Sequence, residues 1–344
     1  LTAHRPQIHN RIMQPDVKPA TIFRHVYGLY PSLAMLAGMQ LDVFTPLGSG
    51  AMTAQALADV LKVDAQKLRL LLYALVNAEL LTVEGERFAN TPEADAYLVA
   101  GRPGYMGSAH ELYSDLWHAA LTAGPSIRAG APQVKHDFAT MSHEELGTFF
   151  RGLHAGALAT GEQLANTYEF ERFHRLLDVG GGSGGLAIAA CQRCPGLTAT
   201  IIDLPRVAPI ARAMVSEAKL GDRVEVVDGD ISRDVPPGRS DVAVLRNLIQ
   251  VLGPGQARNA LRNVGAAVEP GGSLIIVGHV LEDNRLAPAA AVRLNLAFVS
   301  IYDAGQACTE GEHRSWLAQA GFTDMEVHYG ASPGGASIVT ARKI

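Results

Sequence analysis

Cysteine is scarce: 344 residues hold three, Cys191, Cys194 and Cys308. A disulfide framework is therefore excluded, and a reducing, cytoplasmic setting is expected. No uninterrupted apolar run approaches the ~20 residues of a membrane span, so no membrane partner is expected. The segment Leu1–Ala20 has no apolar centre of the kind a secretory signal needs. Basic stripes are missing too: 29 Lys and Arg against 34 Asp and Glu leave a net charge of −5, which argues against nucleic acid as a ligand. Charged residues are only 18% of the chain and hydrophobic ones 48%, so a large core is available and disorder is not expected. At roughly 150 residues per domain, the length predicts about two domains.

Glycine, by contrast, is plentiful at 35 residues, which points to turns where backbone approaches something closely. The first hundred residues read as helical. Phe23, Val26, Tyr27, Tyr30, Leu33, Leu36 and Ala37 recur at three- and four-residue steps, predicting a buried helix face. Thr53 and Asp64 are placed to cap two successive helices. A hairpin around Glu84-Gly85 follows them. Two helices and a hairpin make a winged-helix pattern. DNA binding is one reading of it. The second helix, however, is rich in leucine and offers only Lys67 and Arg69 as cations, which favours a module that packs on a partner subunit. Helical patterning continues through about residue 165 with His110, Tyr113, Trp117, His118, Phe149, Phe150 and His154. Near Glu169 to His174 the style changes. Short apolar runs at Leu176, Thr200, Val224, Val242 and Ser273 then alternate with helical stretches, the signature of a parallel α/β sheet. Two last strand-like runs, from Met325 and from Ser337, are joined by a short loop and should pair antiparallel.

The strongest local signal is Leu176-Leu177-Asp178-Val179-Gly180-Gly181-Gly182-Ser183-Gly184-Gly185, a strand running through glycines into a helix N-terminus. Gly180, Gly182 and Gly185 satisfy the G-x-G-x-x-G of a dinucleotide site. Gly180, Gly182 and Gly184 after Asp178 satisfy D-x-G-x-G-x-G instead. A carboxylate at this loop repels a pyrophosphate, whereas the amino group of S-adenosylmethionine is cationic. Asp203 ends the next strand, where a carboxylate can hold ribose hydroxyls. Asp230 ends the third, near an adenine position, with Asp228 as a solvated neighbour. The plainer alternative is that these acids only cap helices.

These residues resemble a class I S-adenosylmethionine-dependent methyltransferase. The resemblance extends over nearly the whole chain to the small-molecule O-methyltransferase family of the plant caffeate and bacterial antibiotic-tailoring type. It is carried by the winged-helix element, the Asp178 loop, Asp203-Leu204-Pro205, Gly229-Asp230, Leu245-Arg246-Asn247-Leu248, Pro270-Gly271-Gly272, Thr309-Glu310 and Ala320-Gly321-Phe322, in that order. It implies an α/β fold: a Rossmann-like seven-stranded sheet with an antiparallel last strand, preceded by a mostly helical domain. It implies a helical dimerisation domain over 1–100, substrate-side linking helices over 101–172 and a catalytic domain over 173–344. Asp178, Gly180, Gly182, Gly184 and Arg246 would line the cofactor. Asp203 and Leu204 would meet its ribose, and Asp230 and Ile231 its adenine. The partners implied are a small-molecule acceptor and a second copy of the chain in an intertwined homodimer.

The chain departs from the family where a base is expected. The family's His-Asp-Trp reads Gln250-Val251-Leu252 here, and an amide accepts no proton near neutral pH. Gly278 and Ala307 stand where two companion Glu residues are usual. Substitute bases from the sequence are His279, beside the lost Glu, and His154, with His110 and His118 further off. Cys191-Gln192-Arg193-Cys194 has no second pair, so no metal is expected. Tyr113, Trp117, Phe149, Phe150, His154, Asn247, Phe298 and Tyr302 fall on segments expected to wall a flat, apolar acceptor pocket. O-methylation is the expected chemistry. N- or C-methylation, non-methylating chemistry on a cofactor used as a charge, and a ligand-responsive DNA-binding protein remain the alternatives.

Overall fold

The computed structural model describes residues 17–138 and 140–344, which form two compact units, one up to Asp95 and one from Ala96. In the first unit Thr53 Oγ1 accepts from Ala56 N (3.2 Å) and Asp64 Oδ1 from Lys67 N (2.8 Å), starting helices Ala54–Leu61 and Ala65–Asn77. Strands β1 (Met52–Thr53), β2 (Leu81–Glu84) and β3 (Arg87–Asn90) then pair antiparallel in the order β1-β3-β2. Phe44, Leu57, Leu72, Leu75, Leu81 and Phe88 make the small core of this winged-helix element.

The first helix corrects an expectation. Helix Ala20–Tyr27 buries none of its residues, and Phe23, Val26, Tyr27, Tyr30 and Leu33 are all exposed. Phe23 stacks on Tyr27 at 6.1 Å and Tyr27 on Tyr30 at 6.4 Å, so the apolar stripe exists but none of the described residues covers it. Periodicity reports a stripe; it does not say which surface closes over it.

The second unit is built on seven strands: β4 (Arg175–Val179), β5 (Thr198–Asp203), β6 (Val224–Asp228), β7 (Ser240–Arg246), β8 (Val268–Gly278), β11 (Phe322–His328) and β12 (Ser337–Lys343). A short parallel pair, β9 (Val280–Leu281) and β10 (Cys308–Thr309), stands beside them. The order is β11-β12-β8-β7-β4-β5-β6, parallel except for β12, which runs against both neighbours. Both faces are covered. Leu176, Ile201, Val242 and Val244 enter one core, while Leu177, Val179, Ala243 and Leu245 enter the other. That explains why these strands read as unbroken apolar runs. The helices from Ala96 to Thr167 pack within this unit, the longest being His143–Thr167 behind a Ser142–Glu145 capping box. Cys191, Cys194 and Cys308 are free and buried. Among the described residues no helix is long and apolar enough to cross a membrane.

From β4 the chain steps outward to β5 and β6 on one side, then returns to β7 and β8 on the other. The carboxyl ends of β4 and β7 therefore flank a switch point, where doubly wound sheets leave a crevice.

Candidate active site

At the end of β4 the backbone turns through Gly180, Gly182 and Gly184 with φ of 64°, 60° and 73°, a region that side chains disfavour. A Cβ on Gly182 would stand 2.8 Å from the Phe150 ring. Helix Gly185–Arg193 starts directly after, so its first N–H groups have no partner within the helix. Asp203, at the tip of β5, fastens this turn. Its Oδ2 accepts from Gly182 N (2.7 Å) and its Oδ1 from Leu204 N (2.7 Å). Asp178 lies at the tip of β4, 1% exposed, and its Oδ2 accepts from Ala187 N at 3.3 Å.

Both acids are costly to ionise. Burial pushes the Asp178 carboxyl up to about 7; nearby Asp203 adds to the rise, while the Ala187 N–H and Arg246 oppose it. Burial pushes Asp203 up to about 6 against its two backbone donors. Arg246 ends β7 with its Nε 3.2 Å from Thr160 Oγ1; burial lowers its pKa, and Asp178 raises it. A glycine cradle with two under-compensated carboxyls suits a ligand that brings a cation and hydroxyl donors, and repels a pyrophosphate. S-adenosylmethionine fits on those grounds. When bound it supplies a methyl group on a positively charged sulfur.

Asp230 follows β6, whose end is tied to Asp203 by Gly229 N donating to Asp203 O at 2.9 Å. Its Oδ1 takes Ser232 N (3.0 Å) and Ser232 Oγ (2.7 Å), and Arg233 Nε approaches its Oδ2 at 3.3 Å, so it is bound into its own turn. Ile231 beside it is buried, its carbonyl held by Asn263 Nδ2 at 2.8 Å.

On the other side of the crevice, Gln250 is 4% exposed in the short turn Ile249–Val251, and its Nε2 donates to Asn247 Oδ1 at 3.1 Å. Asn247 sits at φ 56° with its N–H donating to Val277 O at 2.7 Å. A Cβ on Gly278 would overlap the Gln250 amide oxygen, so the glycine and the glutamine fit each other. Ala307 is fully buried. Its N–H donates to Asn295 Oδ1 at 2.7 Å. Gly305 touches both this turn and Tyr302: a Cβ there would lie 2.9 Å from Gln250 O and 2.8 Å from Tyr302 Cβ.

The histidines separate. His154 Nδ1 is 2.9 Å from Ser183 Oγ, which puts it on the glycine loop; burial holds its pKa down. His279 is half-buried, its pKa also lowered by burial. Of the aromatic residues, Tyr113 and Trp117 stack at 6.3 Å on one helix, and Phe298 meets Tyr302 at 5.7 Å. Phe150 joins Phe149 and Phe138 at 5.2 and 5.6 Å. Two residues that the sequence did not single out stand here too: His136 is edge-on to Phe149 and Tyr302, and its Nε2 is 2.7 Å from Asp115 Oδ2. Neither lies in a periodic pattern with the other, which is why spacing did not reveal them. Among the described residues no group of three or more His, Cys, Asp or Glu is placed to hold a metal ion.

Comparison with known proteins agrees with this layout. Residues 128–323 match the O-methyltransferase domain, and residues 23–100 the O-methyltransferase dimerisation domain. The chain is 29% identical over 316 residues to the tetracenomycin polyketide synthesis 8-O-methyl transferase TcmO of Streptomyces glaucescens, covering 89% of this chain and 92% of that one. It is 27% identical to the N,N-dimethyltransferase OxyT of Streptomyces rimosus, over 90% of this chain and 92% of that one. The structure of human N-acetylserotonin methyltransferase in complex with SAM superposes with a TM-score of 0.79 at 22% identity, covering 96% of this chain and 99% of that one. The chain belongs to the S-adenosylmethionine-dependent small-molecule O-methyltransferase family.

Proposed function

We propose that this chain methylates a hydroxyl group on a flat, largely apolar aromatic acceptor without a proton-accepting residue at position 250. The observation that carries the reading is the buried Gln250 amide, tied to Asn247 and fitted against Gly278. Phe138, Phe149, Phe150, Phe298 and Tyr302 supply flat walls for the acceptor. Alignment of the acceptor oxygen with the methyl group would provide most of the acceleration, since effective molarities reach ~10⁵ to 10⁸ M, against ~10² to 10⁴-fold from a general base. Asp178, Gly180, Gly182, Gly184, Asp203, Leu204, Asp230, Ile231 and Arg246 hold the cofactor in this reading. Two copies associate through the uncovered stripe Phe23–Leu33, which lies in the part that matches the dimerisation domain.

Incubation with methyl-labelled cofactor and a panel of phenols, hydroxynaphthoates and aromatic amines tests the reading. Label on oxygen supports it. Tight cofactor binding with no transfer to any acceptor would sink it. N-methylation is the second reading, favoured by the likeness to OxyT and by the fact that a free amine brings its own lone pair; label on nitrogen would select it. Product without release of S-adenosylhomocysteine would instead mark non-methylating chemistry.

A further inference from the structure

A neutral hydroxyl that gains a methyl group must lose its proton, and Gln250 cannot take it. One cluster in the acceptor half has the features of a proton acceptor. His136 lies in the segment between helices Ala123–Ala129 and His143–Thr167. Val134 N and His136 N donate to Ser300 O (3.0 Å) and Ile301 O (3.2 Å), pinning this segment to the end of helix Ala289–Ile301. The side chain is 10% exposed, and its Nε2 is 2.7 Å from Asp115 Oδ2 on helix His110–Leu121. The other ring nitrogen, Nδ1, is buried without a hydrogen-bond partner. An orphaned buried nitrogen is unfavourable unless something pairs with it. The ring faces Phe149 at 5.4 Å and Tyr302 at 6.2 Å, both on the aromatic wall, and Tyr302 reaches the Gln250 turn through Gly305. A carboxylate that holds one imidazole nitrogen fixes the tautomer and leaves the other nitrogen free to accept a proton.

We propose that His136, held by Asp115, accepts the proton of the acceptor hydroxyl at Nδ1. The O–H proton passes to Nδ1 while an oxygen lone pair forms the O–CH3 bond. The C–S bond breaks, its electron pair stays on sulfur, and Asp115 faces the imidazolium that results. The groups facing His136 are the Asp115 carboxylate and the Tyr302 phenol, which burial and then Asp115 keep protonated. Helix His143–Thr167 presents Phe149. On its own segment His136 is flanked by Asp137 and by Lys135, which is engaged with Asp303 at 2.5 Å. The inference rests on the methyl-transfer reading.

The test uses the full chain, 2-naphthol as a neutral probe and 4-nitrophenol as a phenol acidic enough to arrive ionised. His136→Gln should lower kcat for 2-naphthol by about 10² to 10⁴-fold. The rate with 4-nitrophenol should change little. Asp115→Asn should give a smaller loss of the same selectivity and serves if His136→Gln folds poorly. A readout without turnover is the imidazole nitrogen spectrum of histidine-labelled protein. His136 should show a proton on Nε2 and a bare Nδ1, and Nδ1 should shift when 2-naphthol is added with S-adenosylhomocysteine. An unchanged kcat, an equal loss with both phenols, or a protonated Nδ1 overturns the proposal. If the wild type methylates neither probe, the reading of phenols as acceptors fails, while the nitrogen spectrum still decides the tautomer and the contact.

Discussion

The two halves of the crevice are built on different terms. On the side of β4 and β5, the turn is held by backbone and carboxylate: three glycines at positive φ, and Asp203 bridging Gly182 N and Leu204 N. On the side of β7 and β8, side chains meet side chains more often: Gln250 to Asn247, His136 to Asp115, Phe298 against Tyr302. A backbone cradle can change little without losing its shape, because a side chain at Gly182 meets both strain and Phe150. A wall of side chains can be rewritten one residue at a time. The first half suits a ligand that never varies and the second a ligand that does.

That contrast can be broken by experiment. Asp203→Ala should do the most harm. It strands two N–H groups at about 1 to 3 kcal/mol each, so affinity for S-adenosylhomocysteine measured by calorimetry should fall about a hundredfold or more. Gly182→Ala follows: left-handed backbone costs about 1 to 2 kcal/mol, and thermal unfolding should shift down along with roughly tenfold weaker binding. A loss confined to acceptor affinity in either variant would erase the distinction between the halves.

The pH dependence is gentler. Asp178 and Asp203 hold protons more tightly folded than unfolded, so the free protein should lose stability as pH rises from 3.8 towards about 7. Cofactor affinity should rise through about 6 and about 7 as the carboxyls ionise and can pair with its amino group and hydroxyls. Unfolding scans and calorimetry across that window measure both, and flat binding would contradict the pairing. The smallest effect belongs to Gln250→Ala. If no proton moves there, kcat should drop less than about tenfold, against the ~10² to 10⁴ a general base supplies. A drop in that larger range would show that the amide orients the acceptor more tightly than its single bond to Asn247 suggests.

Legibility in the sequence follows the same division. The strands were readable because burial on both faces leaves continuous apolar runs, as in Val242 to Leu245. The caps at Thr53 and Asp64 and the loop after Asp178 were readable because each is a local arrangement. The stripe from Phe23 to Leu33 was visible, but not its exposure, since burial depends on what covers it. His154 reads as a candidate base from its sequence, and its contact with Ser183 on the glycine loop is a tertiary one that no spacing shows. The pairing of His136 with Asp115 joins a loop to a helix through tertiary packing alone, and no spacing rule encodes that.

The fit between Gly278 and Gln250 ties the two positions together. A side chain at 278 forces the Gln250 amide to swing away and surrender Asn247, so neither position can be judged by changing it alone. A larger residue at 278 is therefore tolerated only with a matching change at 250, whereas the aromatic walls carry no such tie to this pair.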